Sequence, residues 1–294
     1  MRIAFIGCVQ FSYVALATIL QHPEVEVVGV VTRRASAFNT DFVSLESLAT
    51  ANAVPCYLVE DPDQAKLADW LASLAPDVIY CIGWSSLLNV DILRTPPLGV
   101  VGYHPAALPK NRGRHPIIWA LVLGLEETAS TFFLMDEGAD SGDILNQRFV
   151  PVLPTDDASS LYDRLLAHAE QQIGEVTEAF LRGSVQRVPQ DSQLATYWRK
   201  RTKADGLIDW RMSATSIYNL VRALSRPYPG AHCLYLGQDV KIWRVQPSSE
   251  KPANIEPGKV LAADLTCIKV ACGEGVVDII SHEFPELPRV GSYL

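Results

Sequence analysis

An α/β protein with a doubly wound parallel sheet, followed by a smaller β-rich domain, is what this sequence predicts. Three observations carry that expectation. Short apolar runs alternate with helical patterns as far as Tyr103, a long amphipathic stripe spans Asp156–Arg182, and the pieces beyond residue 204 are short, strand-like and punctuated by glycine and proline. In the first part Arg2–Gly7, Val25–Val31, Val54–Leu58, Val78–Ile82 and Val100–Tyr103 read as strands, while Val14–Leu20, Phe42–Ala51 and Gln64–Leu74 read as helices. Strands separated by helices of this length imply right-handed crossovers and helices on both faces of a Rossmann-like sheet. Buried parallel strands are uniformly apolar, so the lack of alternation is expected.

The stripe places Ala158, Leu161, Leu165, Ala169, Ile173, Val176 and Phe180 three or four residues apart, the spacing of one helical face. Asp156 and Asp157 suit its positive start and Gly183 its end. Ser184–Ala195 is polar and contains Pro189, which reads as linker. Beyond it come a short helix at Ser216–Ser225 and strands at Ala231–Tyr235, Val240–Val245, Val260–Leu261, Cys267–Ala271 and Val276–Ile280. Five short strands fit a small OB-like barrel. The expected division is a catalytic domain over 1–183, a linker over 184–204 and the β-rich domain over 205–294.

Composition narrows the function. The 294 residues are 48% hydrophobic and 20% charged, with a net charge of −8. Such a balance lacks the basic footprint of a protein that lives on nucleic acid. Six cysteines lie scattered without a Cys-x-x-Cys pair, which reads as free thiols of a reducing cytoplasm, with no metal site. The chain opens directly on a strand, and no apolar run approaches the ~18 residues a membrane helix requires. A soluble, cytoplasmic protein without membrane contact is expected.

In a doubly wound sheet, ligands bind outside the carboxyl ends of the strands. After the first strand, Gly7-Cys8-Val9-Gln10-Phe11-Ser12 holds one glycine where a dinucleotide fingerprint requires three, which argues against an NAD-type phosphate cradle. Chemistry concentrates instead in Gly102–Pro116, a loop stiffened by three prolines and carrying His104 at a strand end. A second strand, Thr128–Met135, ends in Asp136-Glu137-Gly138-Ala139-Asp140-Ser141-Gly142-Asp143, well placed to bring a carboxylate beside His104. A carboxylate would fix the imidazole tautomer and support its cation. Taken alone, Asp136, Asp140 and Asp143 compete for that role.

These motifs resemble the formyltransferases that use N10-formyltetrahydrofolate, the methionyl-tRNA and sugar N-formyltransferases. The family's His-Pro-Ser-Leu-Leu-Pro-x-x-Arg-Gly loop stands here as His104-Pro105-Ala106-Ala107-Leu108-Pro109-Lys110-Asn111-Arg112-Gly113, and its aspartate loop as Asp136–Asp143. Asp205–Trp210, Asn219–Ala223, Pro229-Gly230-Ala231 and Lys241-Ile242-Trp243 match its C-terminal module, so the likeness spans nearly the whole chain. The resemblance implies the formyltransferase fold, His104 as catalytic base and Asp140 as its partner. It also implies a folate site at Ile82, Gly83, Trp84, Ser85 and Leu87, with Asp136 beside it. Lys110, Arg112, Arg114 and His115 are candidate substrate ligands, and Arg112 equally an anchor of its own loop. The family's asparagine two residues before the histidine is Gly102 here. That departure leaves an oxyanion donor to be supplied by Asn111 or a nearby backbone amide.

The implied reaction is attack of an amine on the formyl carbon of N10-formyltetrahydrofolate through a tetrahedral intermediate. The tRNA-specific members carry a lysine- and arginine-rich loop after the second strand. Here Thr32–Phe42 has two arginines and no lysine, which together with the acidic balance favours a nucleotide-linked amino sugar of the surface-glycan, pseudaminic-acid type. No stable nucleic-acid partner is expected. The C-terminal module packs either on a partner subunit, giving a homodimer, or on its own catalytic domain. The alternatives are methionyl-tRNA formyltransferase, a hydrolase passing the formyl group to water, and a folate- or nucleotide-binding pseudoenzyme motivated by Gly102.

Overall fold

The computed structural model describes residues 1–35, 41–60, 64–250 and 253–294. Its elements run β1 (Arg2–Ile6), α1 (Gln10–Leu20), β2 (Glu26–Thr32), α2 (Glu46–Ala51), β3 (Cys56–Leu58), α3 (Ala65–Ser73), β4 (Val78–Cys81), α4 (Val90–Arg94), β5 (Val100–His104), the two-residue β6 (Arg112–Gly113), α5 (Pro116–Val122), β7 (Glu127–Leu134), β8 (Ile144–Pro151) and α6 (Ala158–Leu181). Then follow β9 (Tyr197–Trp198), α7 (Ala214–Ala223), β10 (Ala231–Tyr235), β11 (Gln238–Pro247), β12 (Val260–Ala263), β13 (Ile268–Ala271) and β14 (Val276–His282).

The chain forms two compact units, the first comprising 1–113, 128–150 and 164–198 and the second 114–127, 151–163 and 199–294. In the first, seven strands lie in the order β3-β2-β1-β4-β5-β7-β8. β1 to β5 pair in parallel, as their apolar runs predict. β7 lies antiparallel to β5, with Gly102 opposite Phe133 and His104 opposite Thr131. Strands buried on both faces alternate between two cores. Ile3 and Phe5 join α1 and α6 residues on one side, and Ala4 and Ile6 join Leu67, Leu71 and Ile92 on the other. All seven stripe positions of α6 are buried.

Residues 42–45 are not helical, against expectation, and α2 begins at Glu46. Their backbone is already engaged: Phe42 bridges Val9, Val43 N donates to Cys8 O, and Gln10 N donates to Asp41 O. The turn after β1 is likewise filled from within. A Cβ on Gly7 would lie 2.5 Å from Ile82 O, and Ser12 Oγ donates to that same carbonyl at 2.6 Å while accepting from Val9 N.

In the second unit five antiparallel strands lie in the order β10-β11-β14-β13-β12. α7 starts at Ser213, whose hydroxyl accepts from Ser216 N. It buries Ile217, Leu220 and Val221, and α5 packs on it.

Candidate active site

β4 and β5 are parallel neighbours, with Cys81 opposite Gly102. The loop that follows β4 therefore leaves the sheet beside Tyr103 and His104. His104 ends β5 and is 5% exposed. Its Nε2 lies 2.8 Å from the backbone oxygen of Asn111. A carbonyl only accepts, so Nε2 carries the proton and Nδ1 holds the free lone pair. Nδ1 faces Asp140 Oδ2 at 3.6 Å, and that oxygen accepts from Gly113 N at 2.8 Å. The aspartate is thus beside the imidazole, but the tautomer is set by a backbone carbonyl rather than by the carboxylate. Protonation at Nδ1 would place the new N–H opposite Asp140, with both imidazolium protons facing oxygen.

Three ties from the sheet hold the loop after His104: Thr128 Oγ1 to Pro105 O, Thr131 Oγ1 to Ala106 O, and Gln147 Nε2 to Leu108 O. On its other side, Asn111 N donates to Thr196 Oγ1, and Thr196 Oγ1 donates to Asn111 Oδ1. Arg112 N donates to Thr196 O, and β6 pairs in parallel with β9. Asn111 has a φ of +64°, the left-handed setting that asparagine tolerates better than most residues. Its side chain is engaged by Thr196 and its carbonyl by His104.

Arg112 is 3% exposed. Its Nε and Nη2 donate to Gln190 Oε1 at 3.1 and 2.7 Å, and Nη1 donates to Tyr197 Oη at 2.8 Å. Of the two readings left open by the sequence, this geometry is that of the loop anchor. Lys110 is exposed. Arg114 and His115 belong to the second unit, where His115 caps α5 at a φ of +58°. Burial, with Arg114, Arg201 and Lys200 nearby, holds its imidazole below the ordinary value. Arg199 and Arg201 of the basic run lie over the Trp119 ring, at 5.4 and 4.5 Å from its centre.

Asp136 stays in its own loop, where Oδ1 accepts from Gly138 N and Ser141 Oγ. Around the β4 loop, Ile82 is buried, Gly83 is pressed on Val9, and Ser85 and Leu87 are exposed. Trp84 is half-buried beneath Arg33, whose Cζ lies 4.6 Å from its ring centre and whose Nη2 donates to Ser86 Oγ. Residues 36–40 of the loop after β2 lie outside the described residues. Gly102 has no free space beside it: a Cβ there would lie 2.9 Å from both Met135 Cγ and Phe133 Cζ. Sequence reasoning missed Arg33, Gln190, Thr196 and Tyr197.

A histidine fixed at the carboxyl end of a central strand, an aspartate facing its second ring nitrogen and an antiparallel β-module following define a two-part α/β protein. Residues 1–177 match the family described as formyl transferase and residues 200–290 match its C-terminal domain, so the chain belongs to the formyl transferase family. Among solved structures, the sugar 3N-formyltransferase WlaRD, in the presence of dTDP and 5-N-formyl-THF, aligns with a TM-score of 0.73 at 15% identity, over 96% of this chain and 97% of its own. An N-formyltransferase from Helicobacter canadensis, in complex with folinic acid and dTDP-3-aminofucose, aligns at 0.74 with 16% identity, over 95% and 98%. HypX from Aquifex aeolicus, in complex with tetrahydrofolic acid, aligns at 0.65 with 21% identity over 97% of this chain but 44% of its own. At these identities the likeness is one of fold. Among the described residues no helix is long and apolar enough to cross a membrane.

Proposed function

We propose that this chain transfers the formyl group of N10-formyltetrahydrofolate to the amine of a nucleotide-linked amino sugar. The observation that carries the reading is the imidazole of His104, with Nε2 committed to the Asn111 carbonyl and Nδ1 free and facing Asp140. The fit of a pteridine to residues 82–87 is supported by the register that sets this loop beside His104, and by exposed Leu87 and half-buried Trp84 as apolar surface. The bound folate supplies the carbonyl carbon on which an amine acts as nucleophile.

The protein's part is to take and hold a proton. His104 Nδ1 accepts it from the attacking amine, since an ammonium has no lone pair to offer. Asp140 then faces the imidazolium and stabilises it, with its own position held by Gly113 N. On departure of the leaving nitrogen, the proton on Nδ1 is the one available to return. The ties to Thr128, Thr131, Gln147 and Thr196 keep the ring from moving, which is where proximity gains its effect. The likeness to two sugar N-formyltransferases, one in the presence of dTDP and one in complex with dTDP-3-aminofucose, and the acidic net charge of this chain support a nucleotide sugar over tRNA as acceptor.

A second reading, a folate- or nucleotide-binding protein without turnover, is favoured by Gly102, where Phe133 and Met135 take up the space of a side chain. A formyl-transfer assay decides. N10-formyltetrahydrofolate is offered with dTDP-linked amino sugars, with charged initiator tRNA and with water alone, to wild type and His104→Ala. Turnover on an amino sugar that is lost in the variant is expected. Folate binding with silence on every acceptor would overturn the proposal in favour of the binding protein, and salt-sensitive turnover on tRNA would overturn the acceptor.

A further inference from the structure

Gln190 lies in the polar stretch after α6, a region whose sequence carries no catalytic signal. Its side chain nevertheless makes four hydrogen bonds, two in each direction. Oε1 accepts from Nε and Nη2 of Arg112, and Nε2 donates to the carbonyls of Asp140 and Gly142 at 2.9 and 2.7 Å. The primary amide is thereby saturated: both amide protons and both oxygen lone pairs are used. Its two ends lie on different loops. Arg112 follows the residue whose carbonyl holds His104 Nε2, and Asp140 carries the carboxylate facing His104 Nδ1.

The geometry points to Gln190 as a positioning residue that sets the His104–Asp140 pair by clamping the two loops to each other. Glutamine is the residue type this clamp requires. One end must accept twice from a guanidinium and the other must donate twice to carbonyls, and among side chains only a primary amide offers two acceptor lone pairs and two donors in one plane. A carboxylate would serve Arg112 and fail the carbonyls, and an ammonium the reverse. The neighbouring ties leave the work to Gln190. Thr196 and Tyr197 bond the His104 loop, and Gly113 N donates directly from that loop to Asp140 Oδ2. Asp140, at a φ of +54°, has its carbonyl aimed at Gln190 while its carboxylate reaches Gly113. The backbone of the aspartate is therefore fixed by the amide whose other end fixes the arginine.

The kinetic part of the test rests on the formyl-transfer reading above, and the spectroscopic part does not. Gln190→Ala and Gln190→Glu are compared with wild type in the full chain. Each is followed by kcat and KM for both substrates, and by the imidazole nitrogen signals of His104 in NMR, assigned with His104→Ala. An error of about 1 Å in such a pair costs up to ~100-fold in rate. Gln190→Ala is expected to lower kcat by ~10–100-fold with both KM values within about threefold of wild type, and to lower the share of His104 protonated at Nε2. Gln190→Glu is expected to keep the Nε2–H form, because Arg112 is still held, yet to lose kcat because the aspartate loop is released. Unchanged His104 signals and kcat in both variants would overturn the clamp, as would a rise in KM alone. If wild type transfers no formyl group to any acceptor, the functional reading fails and the nitrogen signals still decide the role of Gln190.

Discussion

Replacing Gly113 with alanine places a methyl group 2.3 Å from the carbonyl oxygen of Trp198. Ordinary contact begins near 3.5 Å, so this backbone must retreat by about 1 Å. Gly113 also sits at a φ of +104°, where a side chain costs ~1–3 kcal/mol. Moving the residue parts β6 from β9 and draws its N–H from the Asp140 carboxylate, a charge-assisted bond worth ~1.5–3 kcal/mol. The sum, about 2.5–6 kcal/mol before the collision with Trp198 is added, falls on one loop of the first unit and is expected to appear as local opening. Hydrogen exchange at residues 111–113 should accelerate at least 100-fold, since about 2.7 kcal/mol corresponds to that factor, and kcat should fall by ~100-fold through displacement of the His104–Asp140 pair. Gly174→Ala is the control. It lies within α6 with nothing within 4 Å of a new Cβ, and should stabilise by ~0.5–1 kcal/mol. Wild-type exchange and turnover in Gly113→Ala would refute the reasoning.

Gly102→Asn, which restores the family residue, should destabilise by ~1–3 kcal/mol through collision with Phe133 and Met135 and should not raise kcat; a stable, faster variant would contradict that packing. Ser12→Ala leaves Val9 N–H and Ile82 O without their shared partner, and urea denaturation should register a loss of ~1–3 kcal/mol, with a loss under ~0.5 counting against it. His115, His232 and His282, all in the second unit, are held below the ordinary imidazole value chiefly by burial. The unfolded chain takes up protons near pH ~6.5 that the folded unit refuses, so stability is intact above that pH and falls as pH drops through the folded values. Hydrogen exchange in residues 199–294 should accelerate between pH 7.5 and 5.5, after correction for intrinsic rates. An unchanged or slower rate at 5.5 would refute the assignment.

What could be read in the sequence followed from patterns that repeat. Parallel strands such as Val78–Cys81 are apolar on both faces, and the α6 stripe recurs at helical spacing, so these elements stand out. His104 was legible as a histidine in a proline-stiffened loop at a strand end, and Asp140 only through resemblance to a family. The direction of β7 was not legible, because composition does not distinguish a parallel from an antiparallel neighbour. β8 was missed because Asn146, Gln147 and Arg148 interrupt its apolar character; Gln147 turned out to hold the loop through Leu108 O. Gln190 and Thr196 act through hydrogen bonds to residues far away in sequence, and such bonds leave no periodicity. The late start of α2 has the same origin, since the partners of residues 41–43 lie at Cys8–Gln10.

The pairing of β6 with β9 fixes an order of assembly during synthesis. A nascent chain that has emerged as far as Pro151 possesses every strand of the large sheet, and one that has reached Leu181 adds the helix that seals a face of it. In neither does His104 have its final setting, because Thr196 and Tyr197, further along the chain, have yet to leave the ribosome. The imidazole therefore receives its final setting after the large sheet is complete, roughly ninety residues after it is made, at ~5–20 residues per second some seconds later. Through that interval the sheet holds one side of the loop through Thr128, Thr131 and Gln147, and the other side is tied down when the short segment at Thr196 arrives.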